Sequence, residues 1–145
     1  MSDYWIDPTK CESLAVLVES VAGPLLIEHQ AAICLELDIN VELDVPADPA
    51  RTCDLIRSLV NQSLGEMSAG GDLTITAVET DQGVELEIAD TGGDADGRAQ
   101  SRPMAAAAIG ASMQWQNCPQ GGASVTVLFP PPKEDQQSVR RSKAA

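Results

Sequence analysis

Apolar residues recur every three or four positions after Asp48, and this spacing predicts an amphipathic helix with one buried face. Asp48 suits the N-cap position because its side-chain oxygen accepts hydrogen bonds from the free amides of the first turn. Pro49 then takes the first helical position, where its missing N–H does no harm. The predicted buried face comprises Cys53, Ile56, Leu59, Val60, Ser63 and Met67. Such a face must lie on a sheet.

Two alternating segments that follow the helix supply this sheet. The glycine pair at 70–71 breaks the helical pattern, residues 73–78 and 84–88 then alternate apolar and polar side chains, and Asp-Gln-Gly at 81–83 turns the chain between them. Because one face is apolar and the other polar, we expect helices to cover one face only. The loop DTGGD at 90–94 ends the second strand, and by itself such a sequence is usually only a turn.

Further elements are predicted on the N-terminal side of this unit. Thr9 and Glu12 have the spacing of a capping box, so a helix is expected to start at Thr9. The Gly-Pro pair at 23–24 is expected to kink or divide that helix. Residues 33–38 and 41–45 alternate as two short strands joined by a tight connection.

The C-terminal half is predicted to contain a small-residue helix at 104–109 and two final strands at 112–117 and 123–129. Residues 1–8 are expected to form a leader. Its apolar residues either pack on the domain edge, which is the preferred interpretation, or are the remnant of a junction with a partner or an upstream segment. Residues 9–131 are expected to form one domain. The polar, basic residues 132–145 are expected to be a disordered tail.

Length, charge and cysteine content exclude several classes of protein. A chain of 145 residues is long enough for one domain, and it has no signal peptide and no apolar run that would span a bilayer, so we expect a cytoplasmic protein. The net charge of −13 argues against a nucleic-acid partner, particularly as four of the nine basic residues lie in the tail. The four cysteines form no CxxC pair and are interpreted as reduced core thiols. His29 is expected to be exposed near a helix end.

The order of helix, glycine turn, two strands and Asp-x-Gly resembles the nucleotide-binding core of the GHKL ATPase superfamily, and specifically the catalytic ATP-binding domain of sensor histidine kinases. The family motif Asn-Leu-Leu-x-Asn-Ala falls on SLVNQS at 58–63, and Asp-x-Gly-x-Gly falls on DTGGD at 90–94. The ending GGASVTVLFP is similar to the family's closing strand. Over residues 9–131 the resemblance implies a two-layer α/β sandwich, with a mixed, mostly antiparallel sheet and helices on one face.

The resemblance also implies an adenine site. If ATP binds as in that family, Asp90 accepts a hydrogen bond from the exocyclic amine of adenine, and Gly92 lets the backbone approach the base. Guanine presents a carbonyl at that position, which would leave the buried carboxylate unpaired. Thr91 would order a bridging water, and Ser124 is where a hydroxyl would help to hold the base, although a Ser in a strand more often only faces solvent.

The magnesium and phosphate side departs from the family. The two motif asparagines align with Ser58 and Gln62, and the second of these is the family's Mg²⁺ ligand. Gln62 has the same amide on a longer stem, while Mg²⁺ demands close octahedral geometry. Glu66 adds a negative charge where phosphates would lie. No Gly-x-Gly-x-Gly follows, only Gly110 at the far end of a helix, so the family's long ATP lid is reduced to a stub.

Two functions therefore stay open, and no catalytic residue is assigned. The first is a degenerate kinase-like signalling domain with weak or no ATP binding, which binds a signalling protein such as a phosphoacceptor domain or a response regulator. The alternative is an active ATP- and Mg²⁺-binding component, either a histidine kinase catalytic domain or a serine kinase like those that act as anti-sigma factors, working on a partner in trans. A phosphotransfer adaptor is discounted because no histidine lies in a helical hairpin. The oligomeric state is left open.

Overall fold

A five-stranded mixed sheet carries its helices on one face in the computed structural model, which describes residues 6–98 and 103–131. The elements in chain order are α1 (Leu14–Glu28), β1 (Ile33–Ile39), α2 (Pro49–Gly65), β2 (Gly71–Thr80), β3 (Gly83–Asp90), α3 (Met104–Ala108), β4 (Ser112–Asn117) and β5 (Ala123–Phe129). The strand order is β1-β2-β3-β5-β4; β1 and β2 run parallel, and the other neighbours are antiparallel. The predicted fold class is confirmed.

The helix α2 begins and packs as its sequence predicts. The carboxylate of Asp48 accepts a hydrogen bond from the amide of Arg51 at 3.0 Å, and Pro49 occupies the first turn. All six residues predicted for the buried face are at most 2% exposed. Because β1 and β2 are parallel, the chain between them has to cross the sheet, and α2 is that crossover.

The core lies between the helices and the inner face of the sheet. Alternate residues of β2, β3 and β5 point toward it, and those of the three central strands include Leu73, Ile75, Leu86, Ile88, Val125, Val127 and Phe129, all at most 1% exposed. Residues of opposite parity face away from the helices and are more polar, as in the pair Thr76 and Glu87. The one-sided covering of the sheet follows from this alternation.

The N-terminal helix starts later than its capping-box pattern predicts. The amide and hydroxyl of Thr9 both donate to the carboxylate of Asp7, at 3.0 and 2.7 Å, and this pair closes a short 3₁₀ turn at Pro8–Lys10. Thr9 is thereby used as a donor and does not cap α1. Ser13 caps that helix instead, with its hydroxyl oxygen 3.5 Å from the amide of Val16. The start predicted at Thr9 is wrong.

The helix α1 is not divided at its Gly-Pro pair. It continues through Pro24 and ends at Glu28, so of the predicted kink or division, the division is wrong and the kink stays a prediction. Pro24 is exposed near the end of the helix, where the ring has solvent on one side. None of the helices formed by residues 6–98 and 103–131 is long and apolar enough to cross a bilayer.

The second short strand predicted at 41–45 is also wrong. These residues form a turn and a single bridge between Ser13 and Asp44. The carbonyl of Leu43 accepts from the amide of Leu14 at 2.9 Å, and the amide of Val45 donates to the carbonyl of Glu12 at 2.8 Å. The segment at the start of α1 thus satisfies this backbone. Leu43 and Val45 pack against the core outside the sheet, whereas Val41 is exposed.

Two side-chain expectations also change. Cys53 lies in the core, but Cys34 is exposed because it points to the open face of β1, so the interpretation of the thiols as core residues is wrong for Cys34. His29 is half-buried rather than exposed. Its Nε2 atom lies 2.9 Å from the carbonyl oxygen of Met67, which joins the end of α1 to the end of α2.

Replacing a core valine of β5 should test this packing. Val125→Ala is expected to lower the free energy of unfolding by about 2–3 kcal/mol, because it removes two buried methyl groups and leaves a cavity. The same substitution at Val78, which is 57% exposed, should change it by less than about 0.5 kcal/mol. Urea unfolding of both variants measures the difference. Equal losses would contradict the described orientation of the sheet.

Candidate functional site at the end of β3

Asp90 is a buried carboxylate at the last position of β3. It pairs with Leu73 of β2 on one side and with Ala123 of β5 on the other. Leu73 belongs to the inner face of the sheet, so the pleat directs Asp90 into the same layer, between sheet and helices. Asp90 is 3% exposed, and a charge buried this deeply requires a partner.

Arg98 is that partner. Its Nη1 atom donates to Oδ2 of Asp90 at 2.5 Å, and its Nη2 atom donates to Oδ1 at 3.1 Å. The two side chains are 2% and 1% exposed, respectively. The planar guanidinium matches the carboxylate with two parallel hydrogen bonds, which is the strong geometry for such a pair. The pair closes the end of β3 against solvent.

Further contacts fix the guanidinium from several sides. Nη2 also donates to the carbonyl of Gly93 at 2.6 Å, and Nε donates to the carbonyl of Asp94 at 3.1 Å. The carboxylate of Glu66 at the end of α2 lies 3.7 Å from Nη2. The guanidinium carbon stands 5.8 Å from the ring centroid of Trp115 in β4, within range of a cation–π contact. Arg98 therefore connects β3, α2 and β4.

Arg98 stays positively charged in this position. Burial by itself lowers the pKa of Arg98, but the hydrogen bonds that it donates to Asp90 and the charges of Asp90, Glu66 and Asp94 outweigh burial and raise the pKa above its ordinary value. The side chain therefore remains a cation throughout the pH range in which proteins fold. Three carboxylates around one arginine leave a net negative charge in the vicinity of the pair.

The loop between Asp90 and Arg98 is held in shape by its own polar groups. The carboxylate of Asp94 accepts from the amide of Asp96 at 3.1 Å, and the amide of Arg98 donates to the carbonyl of Ala95 at 3.1 Å. The side-chain oxygen of Asn117, at the end of β4, accepts from the amide of Ala95 at 2.7 Å. These bonds turn the chain back over the end of the sheet, which brings Arg98 to Asp90.

Comparison with known proteins places this arrangement in a familiar fold. No protein-family model matches the sequence, and no curated protein matches it. The structure is similar to the Erythrobacter litoralis EL346 blue-light activated histidine kinase, with a TM-score of 0.66 and 15% identity over 81% of this chain and 45% of that chain. The nucleotide-free catalytic domain of histidine kinase ThkA gives 0.66 and 17% identity, over 83% of this chain and 96% of that chain. Acinetobacter baumannii histidine kinase AdeS gives 0.68 and 20%, over 81% and 64%.

The chain has the fold of a histidine kinase catalytic domain. The resemblance of the sequence to the GHKL group is thereby confirmed at the level of fold. The chain spans less than half of the blue-light activated kinase but nearly all of the separate ThkA domain. The similarity thus concerns this domain alone.

Within the histidine kinase fold, the glycine-rich loop packs on the protein itself. A Cβ atom at Gly92 would lie 2.5 Å from the carbonyl oxygen of Glu66, so the glycine is required by the end of α2. The hydroxyl oxygen of Thr91 accepts from the amide of Asp72 at 3.0 Å and lies 3.8 Å from the sulfur of Met67. Thr91 thus connects the ends of β2 and β3. The water-ordering role expected for it stays a prediction.

The structure brings only one of the three remaining predicted site residues to the Asp90–Arg98 pair. The amide nitrogen of Gln62 is half-buried and lies 3.5 Å from the carbonyl oxygen of Arg98. Ser58 is exposed one turn earlier on the same face of α2. Ser124 is 2% exposed, so it does not face solvent; the pleat of β5 also directs it to the face opposite Asp90.

Arg98 is the site residue that sequence reasoning misses. It lies eight positions after Asp90 in a loop without hydrophobic periodicity, and in the sequence it is one of few cations in an acidic chain. The signal that could have identified Arg98 is the small number of basic residues in the sequence. A buried carboxylate needs a positive partner or a strong donor, and Arg98 is the first basic residue that follows Asp90.

Removal of the arginine should be costly because Asp90 would be left buried without a partner. We expect Arg98→Met to lower the free energy of unfolding by about 3–5 kcal/mol, as for other broken buried ion pairs. The double variant Asp90→Asn/Arg98→Met should lose less than the single variant, because it removes both charges. Urea unfolding at neutral pH measures all three proteins.

The control for this series is Arg57→Met. Arg57 pairs with Asp54 at 3.2 Å on the surface of α2, with both side chains largely exposed. Surface pairs of this kind contribute about 0–1 kcal/mol, so the control should lose little stability. Equal losses for Arg98→Met and Arg57→Met would contradict a buried pair at the end of β3.

Proposed function

We propose that the chain is a histidine-kinase-like signalling domain that no longer depends on nucleotide and acts as a protein-interaction module. The bidentate pair of Asp90 with Arg98 carries this proposal. The carboxylate that the resemblance assigns to adenine is instead used within the protein. Its side chain is 1% exposed, so a base would reach it only after Arg98 has moved.

The energetics of exchange favour the closed arrangement. Both oxygens of Asp90 accept from a charged guanidinium, and Oδ1 also accepts from the amide of Gly92 at 2.9 Å. The amine of adenine is a neutral donor that offers this carboxylate a single hydrogen bond, whereas the guanidinium is a cation that donates two in parallel. An adenine that displaced Arg98 would also leave that cation without its partner. The residues as arranged do not fit the base.

The neighbouring groups give little support to phosphates or Mg²⁺. The amide group of Gln62, aligned with the family's metal ligand, directs its nitrogen to the carbonyl of Arg98. The carboxylate of Glu66 stands beside the guanidinium and adds negative charge. Phosphoryl transfer depends on precise positioning and on cations that stabilise charge, and Arg98 is already committed to carboxylates. These features support loss of catalysis rather than catalysis with altered residues.

A domain that keeps this fold without its nucleotide chemistry can still act through its surface, by binding another protein. The similar solved structures are histidine kinases, so a partner from phosphate signalling fits best, either a phosphoacceptor domain or a response regulator. The second candidate function is an ATP-binding component that acts on such a partner in trans. The position of Asp90 favours it, since the carboxylate is kept at the strand end where the family has its adenine residue.

Calorimetric titration with ATP and ADP, with and without Mg²⁺, distinguishes the two functions. For the unmodified chain we expect no saturation up to about 1 mM nucleotide, which corresponds to binding weaker than about 4 kcal/mol. Arg98→Ala should acquire weak binding of ATP and ADP alike, without dependence on Mg²⁺, because only the base would be recognised. Circular dichroism checks that the variant is folded.

Arg57→Ala is the matched control and should behave like the unmodified chain. Submillimolar, Mg²⁺-dependent ATP binding by the unmodified chain, abolished by Asp90→Asn, would refute the proposal and support the active component. An Arg98→Ala variant that folds but binds no nucleotide would show that Arg98 is not what closes the site.

A further inference from the structure

A cleft lies at the opposite end of the sheet from Asp90. Its volume is about 1010 Å³, at the upper end of the range of ligand pockets. Three parts of the chain form it: the turn before α2, the hairpin between β2 and β3, and the two prolines Pro130 and Pro131 that follow β5. This cleft is remote from the Asp90–Arg98 pair, so an inference from it does not rest on the proposed loss of nucleotide binding.

The walls of the cleft combine apolar and acidic side chains. Half-buried Leu43 and Val45 form part of its lining, and Val78 beside them is 57% exposed. The lining also includes four carboxylates, contributed in pairs by the turn and by the hairpin: Glu42, Asp44, Glu79 and Asp81. No lysine, arginine or histidine is among the lining residues. A cationic segment with some apolar character would suit such a surface.

The four carboxylates are not neutralised by the described part of the protein. Among residues 6–98 and 103–131, the ion pairs involve Arg57 and Arg98 and none of these four groups. Their mutual repulsion therefore remains, and a cation from elsewhere would relieve it.

The sequence places such cations immediately after the cleft. Pro131 lines the cleft, and the residues that follow it, 132–145, contain Lys133, Arg140, Arg141 and Lys143. Four of the nine basic residues of the chain thus occur in this one segment, with Val139 next to the arginine pair. The segment around the arginine pair therefore has the positive charge that the cleft lacks, and Val139 is an apolar side chain that suits the apolar part of the lining.

We propose that the cleft binds the basic segment around Arg140 and Arg141 of the same chain. Residues 132–145 lie outside the described residues, and their sequence carries this step. Arg140 is nine positions beyond Pro131, which allows a reach of roughly 30 Å when the chain is extended. Such a short tether gives the segment a high effective concentration at the cleft. A partner with a similar basic segment would then have to compete with this internal ligand.

Zero-length crosslinking of the full chain with a carbodiimide tests the proposal, because this reagent joins a lysine amine only to a carboxylate in direct contact. Lys143 should crosslink to the four cleft carboxylates at least about fivefold more often than to the exposed carboxylates Glu36 and Asp38 of β1. Lys133 is not informative because it lies too close to Pro131. Mass spectrometry of the monomer band identifies the joined residues. In 1 M salt, where the screening length falls to about 3 Å, the preference should disappear.

The double variant Arg140→Glu/Arg141→Glu should lose the preference of Lys143 for the cleft. Arg51→Glu/Arg57→Glu makes the same change of charge on exposed residues of α2 and should keep it. Crosslinks of Lys143 spread over the surface according to exposure would overturn the proposal. Crosslinks found only between two copies would overturn it as well, since the segment would then bind another molecule.

Discussion

The pairing of one buried carboxylate with one buried guanidinium determines the shape of the whole end of the domain. Asp90 closes the central strand β3, and Arg98 reaches it from a loop that is fastened to β4 through Asn117. Neither charge would be stable in this layer alone, because desolvation of a single ion costs far more than a hydrogen bond returns. The loop, the end of α2 and the edge strand are therefore held in place together.

The pair also determines how accessible the carboxylate at the end of β3 is. Asp90 is enclosed by groups of its own chain, and this supports the proposal that it no longer serves a nucleotide. The interaction between Asp90 and Arg98 stabilises the conformation of the loop that joins them. The surface of the domain stays accessible. It includes the acidic cleft at the other end of the sheet, which is formed by different parts of the chain.

Local patterns predicted most of the fold and the position of Asp90, but not its partner Arg98. The signals that define α2 are local: a capping Asp48, Pro49 in the first turn, and the spacing of Cys53 and Ile56. The sequence alone was therefore sufficient to locate this helix. The segment at 41–45 alternates like a strand, yet its backbone binds the residues at the start of α1. No local sequence pattern indicates which part of the chain a strand-like segment will pair with. Arg98 was missed for a related reason. Its burial results from how the loop returns to Asp90, which is a tertiary outcome.

The two edges of the sheet differ in their protection against strand addition. The outer strand β1 places Glu36 and Asp38 on its open face, so a second copy that aligned there would bring like charges together. The other edge strand, β4, carries no charged residue, and its outward positions are Ser112, Gln114 and Gln116. Glutamine side chains pair readily across stacked strands. Self-association of this domain through its backbone is therefore opposed at one edge and tolerated at the other.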